Sequence, residues 1–172
     1  EYLYEKLTAY GNSDYYAFHM PGHKRNMELM RARLPYNIDI TEIDGFDDLH
    51  HAEGLLKELQ ENAARVFHAE ETHYLVNGST VGLLSAVMGC TERGGRILMA
   101  RNCHKSVYNA VYINELRPVY IYPEFSEETD LNGEIHVDQI KKLLEEYEDI
   151  QAVVIVSPTY EGVVSDIEAI AE

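Results

Sequence analysis

The sequence predicts an α/β fold: a mostly parallel sheet with crossover helices, preceded by an irregular N-terminal arm. From about residue 71 onward, short apolar runs of about five residues, rich in Val, Ile, Leu and Tyr, alternate with helical patterns. The intervals between those runs are long enough for a crossover helix, which parallel strands need and antiparallel hairpins do not. Polar, Gly- or His-containing loops follow several of the runs, as they do at the carboxyl ends of strands in open α/β sheets.

The first fifty residues are rich in Tyr, Asn, Gly and acidic side chains and keep little period beyond a short helical stretch near Tyr2 to Tyr10. They form the arm, residues 1–50, and residues 51–172 form the α/β part. Leu55, Leu56, Leu59, Ala63, Val66 and Phe67 make one apolar stripe, predicting a helix from roughly His51 to His68. Predicted strands are Thr72 to Val76, Arg96 to Ala100, Pro118 to Tyr122 and Ala152 to Val156. Val137, Ile140, Leu143, Leu144 and Tyr147 predict a further helix, and both striped helices are expected against the sheet. Ser165 followed three residues later by Glu168 has capping-box spacing, which predicts a helix start just after Val164.

Composition narrows the function. Fourteen Lys and Arg against 30 Asp and Glu give a formal charge of −16, the wrong sign for a phosphate backbone. Nucleic acid is therefore excluded as the expected partner. No apolar run approaches the roughly 18 residues of a membrane span, and nothing resembles a signal peptide, so a cytoplasmic location is expected. Cys90 and Cys103 are too far apart for a CxxC pair and read as ordinary reduced cysteines. The chain opens on Glu1 and closes within a helical pattern, and is read as part of a longer protein.

Three loops invite chemistry. Val76 to Gly82 (VNGSTVG) lies between a predicted strand and a helical stretch. Unpaired N–H groups, the positive helix end, Gly and the Ser79 and Thr80 hydroxyls would suit a phosphate there. A tight turn capped by Ser79 or Thr80 explains the same residues. The stretch fits neither the P-loop nor a Gly-x-Gly-x-x-Gly fingerprint. Arg101-Asn102-Cys103-His104-Lys105-Ser106 follows the next run, placing an imidazole at a strand end, and Ser157 to Gly162 (SPTYEG) follows the last. Asp47, Asp48, His50 and His51 raise a metal-dependent hydrolase reading, but their spacing matches no ligand pattern, and Asp47 or Asp48 as cap of the following helix explains them better. No metal is expected.

Pro21-Gly22-His23-Lys24, Asp39 to Leu49 (DITEIDGFDDL), Asn77 to Thr80, Arg101 to Ser106 and Ser157 to Gly162, in that order, resemble the Orn/Lys/Arg decarboxylase family over nearly the whole chain. The resemblance implies an aspartate-aminotransferase-like large domain, of which this chain is the N-terminal part. It implies pyridoxal 5′-phosphate (PLP) as cofactor and basic amino acids as substrates, in a homodimer or larger assembly. It places Gly78, Ser79 and Thr80 at the cofactor phosphate, His104 against the pyridine ring, and Thr159 in a nearby loop. It puts His23 and the Asp39 to Asp48 loop near the site entrance and dimer contact. The aspartate that pairs with the pyridinium nitrogen and the lysine that forms the Schiff base are expected beyond Glu172, and Lys105 is not that lysine. The competing expectation is a catalytically silent α/β module for ligand binding or assembly.

Overall fold

The computed structural model of the chain describes residues 2–30 and 33–172. These divide into two compact units, with the boundary between Tyr74 and Leu75.

The first unit holds helix α1 (Leu3–Gly11), a 3-10 turn (Tyr36–Ile38) and helix α2 (Leu55–Phe67). Aromatic and cationic side chains give the irregular arm its order. The Tyr10 ring meets Phe46 edge-on at 5.5 Å and carries the Arg25 guanidinium at 4.7 Å, while Arg25 Nη1 donates to the Tyr10 carbonyl at 2.7 Å. His23 Nε2 lies 3.2 Å from Asp39 Oδ2. Asp47 caps α2 from a distance: its carboxylate accepts the N–H groups of Glu53, Gly54 and Leu56 at 2.9–3.0 Å. That cap sets the start of α2 at Leu55, four residues after the sequence-based start at His51. Val66 and Phe67, placed on the apolar stripe by the sequence, are exposed.

The second unit is the α/β part: α3 (Gly78–Cys90), β1 (Arg96–Ala100), α4 (Lys105–Ile113), β2 (Arg117–Ile121), a small antiparallel hairpin of β3 (Phe125–Ser126) and β4 (Leu131–Asn132), α5 (Val137–Glu146), β5 (Ile150–Val154) and α6 (Ile167–Ala171). The sheet is parallel, ordered β2-β1-β5. Ile97, Leu98, Met99 and Ala100 of the central strand are all 0% exposed, so both faces of β1 are covered. Val87 of α3 and Ala110 of α4 share a buried cluster with Ile97, and Ile140 of α5 lies in a second cluster with Leu98, Met99 and Ala100. At the amino edge the Asp149 carboxylate joins neighbouring strands, meeting Arg96 Nε at 2.5 Å and an Arg117 guanidinium nitrogen at 3.1 Å.

The structure corrects two sequence-based elements. Thr72 to Val76 is not a strand: the Tyr74 N–H donates to Gln60 Oε1 and its hydroxyl to the Leu59 carbonyl, both at 2.9 Å, so its polar groups go to α2 rather than to a ladder. Ser165 does not cap the last helix. It is buried, and its hydroxyl accepts the Ile135 N–H at 3.0 Å, while Asp166 caps α6 through the Ala169 N–H. β1 has the predicted bounds, whereas β2 and β5 begin one and two residues earlier than predicted.

Candidate active site

The chain leaves β1 for β2 on one side and later returns as β5 on the other. The order therefore reverses at β1, and the carboxyl ends of β1 and β5 flank the crevice where open α/β sheets bind their ligands. His104 follows β1 and Thr159 follows β5.

α3 delivers its N-terminus to this same edge. Its last residue leads through Thr91–Gly95 into the amino end of β1, so the helix runs back along the sheet, as α4 does. Packing gives the level. Val87 clusters with Ala110, and one turn earlier Leu83 packs on the cluster that holds Cys103 and Val107. One more turn back leads to Ser79 and Thr80 on α3 and to the His104 loop on α4.

Asn77 and Gly78 enter α3 with φ of +66° and +74°, a left-handed entry that glycine takes without strain. Neither Ser79 nor Thr80 is the N-cap. Asn77 holds that position and makes no side-chain capping bond, and the first turn carries no acidic residue. The first N–H groups of α3 thus keep their donors and the positive helix end, and Gly78, Ser79 and Thr80 are exposed. Space around Gly78 is open, with nothing within 4 Å of a Cβ built there.

His104 is exposed and is the N-cap of α4. Its Nδ1 accepts the Ser106 N–H at 3.2 Å and lies 2.8 Å from Ser106 Oγ. Its loop is clamped from several sides. The Arg101 N–H donates to the Ile121 carbonyl at 2.8 Å, the Tyr108 hydroxyl donates to the Arg101 carbonyl at 2.6 Å, and Arg101 Nη1 donates back to that hydroxyl at 2.5 Å. That hydrogen bond and the charge interaction with Tyr108 hold the Arg101 guanidinium above its usual basicity, and the guanidinium also lies over the Tyr108 and Tyr120 rings. Cys103 Sγ donates to the Val154 carbonyl at 3.6 Å, tying the loop to β5, and burial pushes its thiol pKa up, so it is inert packing rather than a nucleophile. Asn102 Oδ1 is buried without a hydrogen-bond partner, an acceptor left open at the edge.

Thr159 is half-buried and spends its groups on its own loop. Its N–H donates to the Val163 carbonyl at 2.8 Å and its Oγ1 accepts the Val163 N–H at 3.2 Å. It lies five residues past the end of β5, and its acceptor is engaged in shaping the turn. Lys105 is the exposed first residue of α4. Asp47 and Asp48 are occupied by backbone N–H groups, and among the described residues no group of three or more His, Cys, Asp and Glu is placed to hold a metal ion.

Residues 2–172 match the family description "Orn/Lys/Arg decarboxylase, major domain". The chain belongs to the Orn/Lys/Arg decarboxylase family. Among its relatives, an arginine decarboxylase of Bacillus cereus is 32% identical over 176 residues, covering 99% of this chain and 38% of that protein. The uncharacterized protein YaaO of Bacillus subtilis is 37% identical over 173 residues, covering 98% of this chain and 36% of that protein. The chain thus spans a little over a third of the length of these relatives. A constitutive lysine decarboxylase of Escherichia coli superposes with a TM-score of 0.75 over 93% of this chain and 25% of that one, at 24% identity. Lysine decarboxylase A of Pseudomonas aeruginosa superposes equally well, at 20% identity, covering 93% of this chain and 24% of that one. These likenesses show the fold, which is part of an aspartate-aminotransferase-like large domain. Family members are decarboxylases of basic amino acids. Among the described residues no helix is long and apolar enough to cross a membrane.

Sequence reasoning missed Ser106, Asn102 and the Tyr108–Arg101 clamp. The only signal was a polar triplet, His104-Lys105-Ser106, at a helix start, where a side chain two residues after the cap can turn back on it.

Proposed function

We propose that this chain is the N-terminal part of the cofactor-binding domain of a PLP-dependent carboxy-lyase that converts arginine, lysine or ornithine to the corresponding amine and carbon dioxide. The observation that carries the proposal is a pair of features on two helices that share a buried cluster: an α3 N-terminus without a capping side chain, and an exposed imidazole at the start of α4 whose Nδ1 is hydrogen-bonded. The residues present fit the two ends of PLP. The α3 N–H groups and the Ser79 and Thr80 hydroxyls are donors in a positive field, which suits a phosphate. The His104 ring is a flat, exposed partner for an aromatic face.

When bound, PLP supplies the electron sink for the pair left on the α-carbon as carbon dioxide departs. In this reading Gly78, Ser79 and Thr80 anchor the phosphate and so fix the depth of the ring. His104 holds the ring plane, which fixes the direction in which the scissile bond is presented. Thr159 shapes the wall on the β5 side. The pyridinium-pairing aspartate and the cofactor-bearing lysine come from sequence beyond these 172 residues, so this chain alone is inactive. A basic amino acid substrate, a homodimer or larger homo-oligomer, a cytoplasmic location and a place in polyamine-type metabolism belong to the same proposal.

The test is carbon dioxide release by the full-length protein, supplied with PLP, from arginine, lysine and ornithine in turn. Release from at least one is expected. Release from none, with the protein folded and PLP present, would contradict the proposal.

A further inference from the structure

We infer that Ser106 is a positioning residue for His104, holding its imidazole in the tautomer whose proton sits on Nε2. The chemical consequence rests on the PLP reading above, but the tautomer does not.

Ser106 is 0% exposed, although it is the second residue of a helix that begins at the sheet edge. A hydroxyl buried there needs a partner, because leaving it unmatched forfeits its hydrogen bond to water with nothing in exchange. The partner is His104 Nδ1, 2.8 Å away. The Ser106 N–H is one of the first-turn donors that α4 itself cannot satisfy, and it points at the same nitrogen from 3.2 Å. A proton on Nδ1 would face that N–H hydrogen directly. Nδ1 therefore presents its lone pair, the Ser106 N–H and O–H both donate to it, and the ring proton resides on Nε2.

The backbone supports the same arrangement. His104 has φ −60° and ψ 148°, the extended geometry of an N-cap, and the Val107 N–H donates to its carbonyl at 3.0 Å. The imidazole thus takes the place of a Ser or Asp cap. It gives one nitrogen to the helix, and the exposed residue keeps Nε2–H for another partner. In the neutral ring the outward nitrogen is a donor, so His104 can hydrogen-bond an acceptor beside the cofactor site and cannot remove a proton through Nε2. The Ser106 hydroxyl also limits ring rotation about its bond to Cβ, which sets the plane offered for stacking.

The test uses the full-length protein labelled with ¹⁵N-histidine, with the His104 resonances identified by their loss in His104→Ala. Without PLP, the wild type is expected to show an unprotonated Nδ1 and a protonated Nε2. Ser106→Ala keeps the backbone N–H and loses only the hydroxyl, so the two shifts are expected to move part of the way toward each other, and Ser106→Thr is expected to restore them. With PLP, Ser106→Ala is expected to alter the bound-cofactor absorption spectrum and to lower kcat about fivefold, the size of one neutral hydrogen bond, with KM little changed. A wild-type proton on Nδ1, or unchanged shifts in Ser106→Ala, would overturn the inference whatever PLP does. Wild-type protein with the expected tautomer but no PLP binding would leave Ser106 as the positioning residue and overturn the function proposed above instead.

Discussion

The Asp47 carboxylate accepts the Leu56 N–H at 2.9 Å across nine residues, closing a loop onto the start of α2. Backbone N–H groups, that of Glu53 foremost, hold this carboxyl far below the ordinary aspartate value of 3.8, against the opposing effect of burial. A folded-state pKa below the unfolded one adds stability that is complete above the ordinary value and lost as pH falls through the folded one. The α2 cap is therefore expected to survive mild acid. Helix content followed by circular dichroism should stay level down to about pH 4 as far as this cap is concerned, and Asp47→Ala should lower the melting temperature at neutral pH. An unchanged melting temperature in Asp47→Ala would count against the cap.

Asp149 supports the amino edge of the sheet in a similar way. The Arg96 guanidinium is the main cause that holds its carboxyl below the usual range, with Arg117 adding to it. Being half exposed, the group is screened by solvent, and its effect is modest. Asp149→Asn should reduce stability at neutral pH and narrow its difference from wild type as pH falls below the ordinary carboxylate range. Denaturant melts at a series of pH values read this directly, and a constant difference would deny the linkage.

Leu98 is the test of the core. It is 0% exposed on the central strand and packs in the cluster that holds Ile140 of α5. Leu98→Ala should cost about 2–5 kcal/mol, transfer and cavity terms together, measured by urea unfolding of the full-length protein. A loss below about 1 kcal/mol would mean that β1 is not covered on both faces.

Much of this was legible in the sequence, for physical reasons that differ by element. Ile97 to Ala100 is a run of side chains buried on both faces, and β1 is bracketed by Gly94-Gly95 and Arg101-Asn102, so pattern and burial agree. Thr72 to Val76 is a run of the same length that ends in apolar residues, yet a strand exists only where a neighbour supplies its ladder, and Tyr74 bonds to α2 instead. The capping-box spacing at Ser165 was overridden because a buried Ile135 N–H claimed the hydroxyl, which no local pattern reveals. At the site, motif order pointed to the α3 turn and His104 as candidates, because helix starts and strand ends are local. Ser106 could not be read that way, since its role depends on burial and on which way an imidazole turns.

Gly78 offers a local probe of the phosphate anchor. Its φ of +74° favours glycine, and the space beside it is open, so Gly78→Ala meets backbone strain of about 1–2 kcal/mol rather than a clash. Affinity of the full-length protein for PLP, measured by fluorescence titration, should fall about tenfold, and Ser79→Ala should weaken it by about fivefold through the lost donor. If both variants bind as the wild type does, the phosphate lies elsewhere.

The most direct test of the account is a diffraction structure of the full-length protein crystallised with PLP. The account predicts phosphate oxygens within hydrogen-bond reach of the Gly78, Ser79 and Thr80 N–H groups and the pyridine ring against the face of His104. Phosphate density away from the α3 N-terminus, or a ring that does not meet His104, would contradict it.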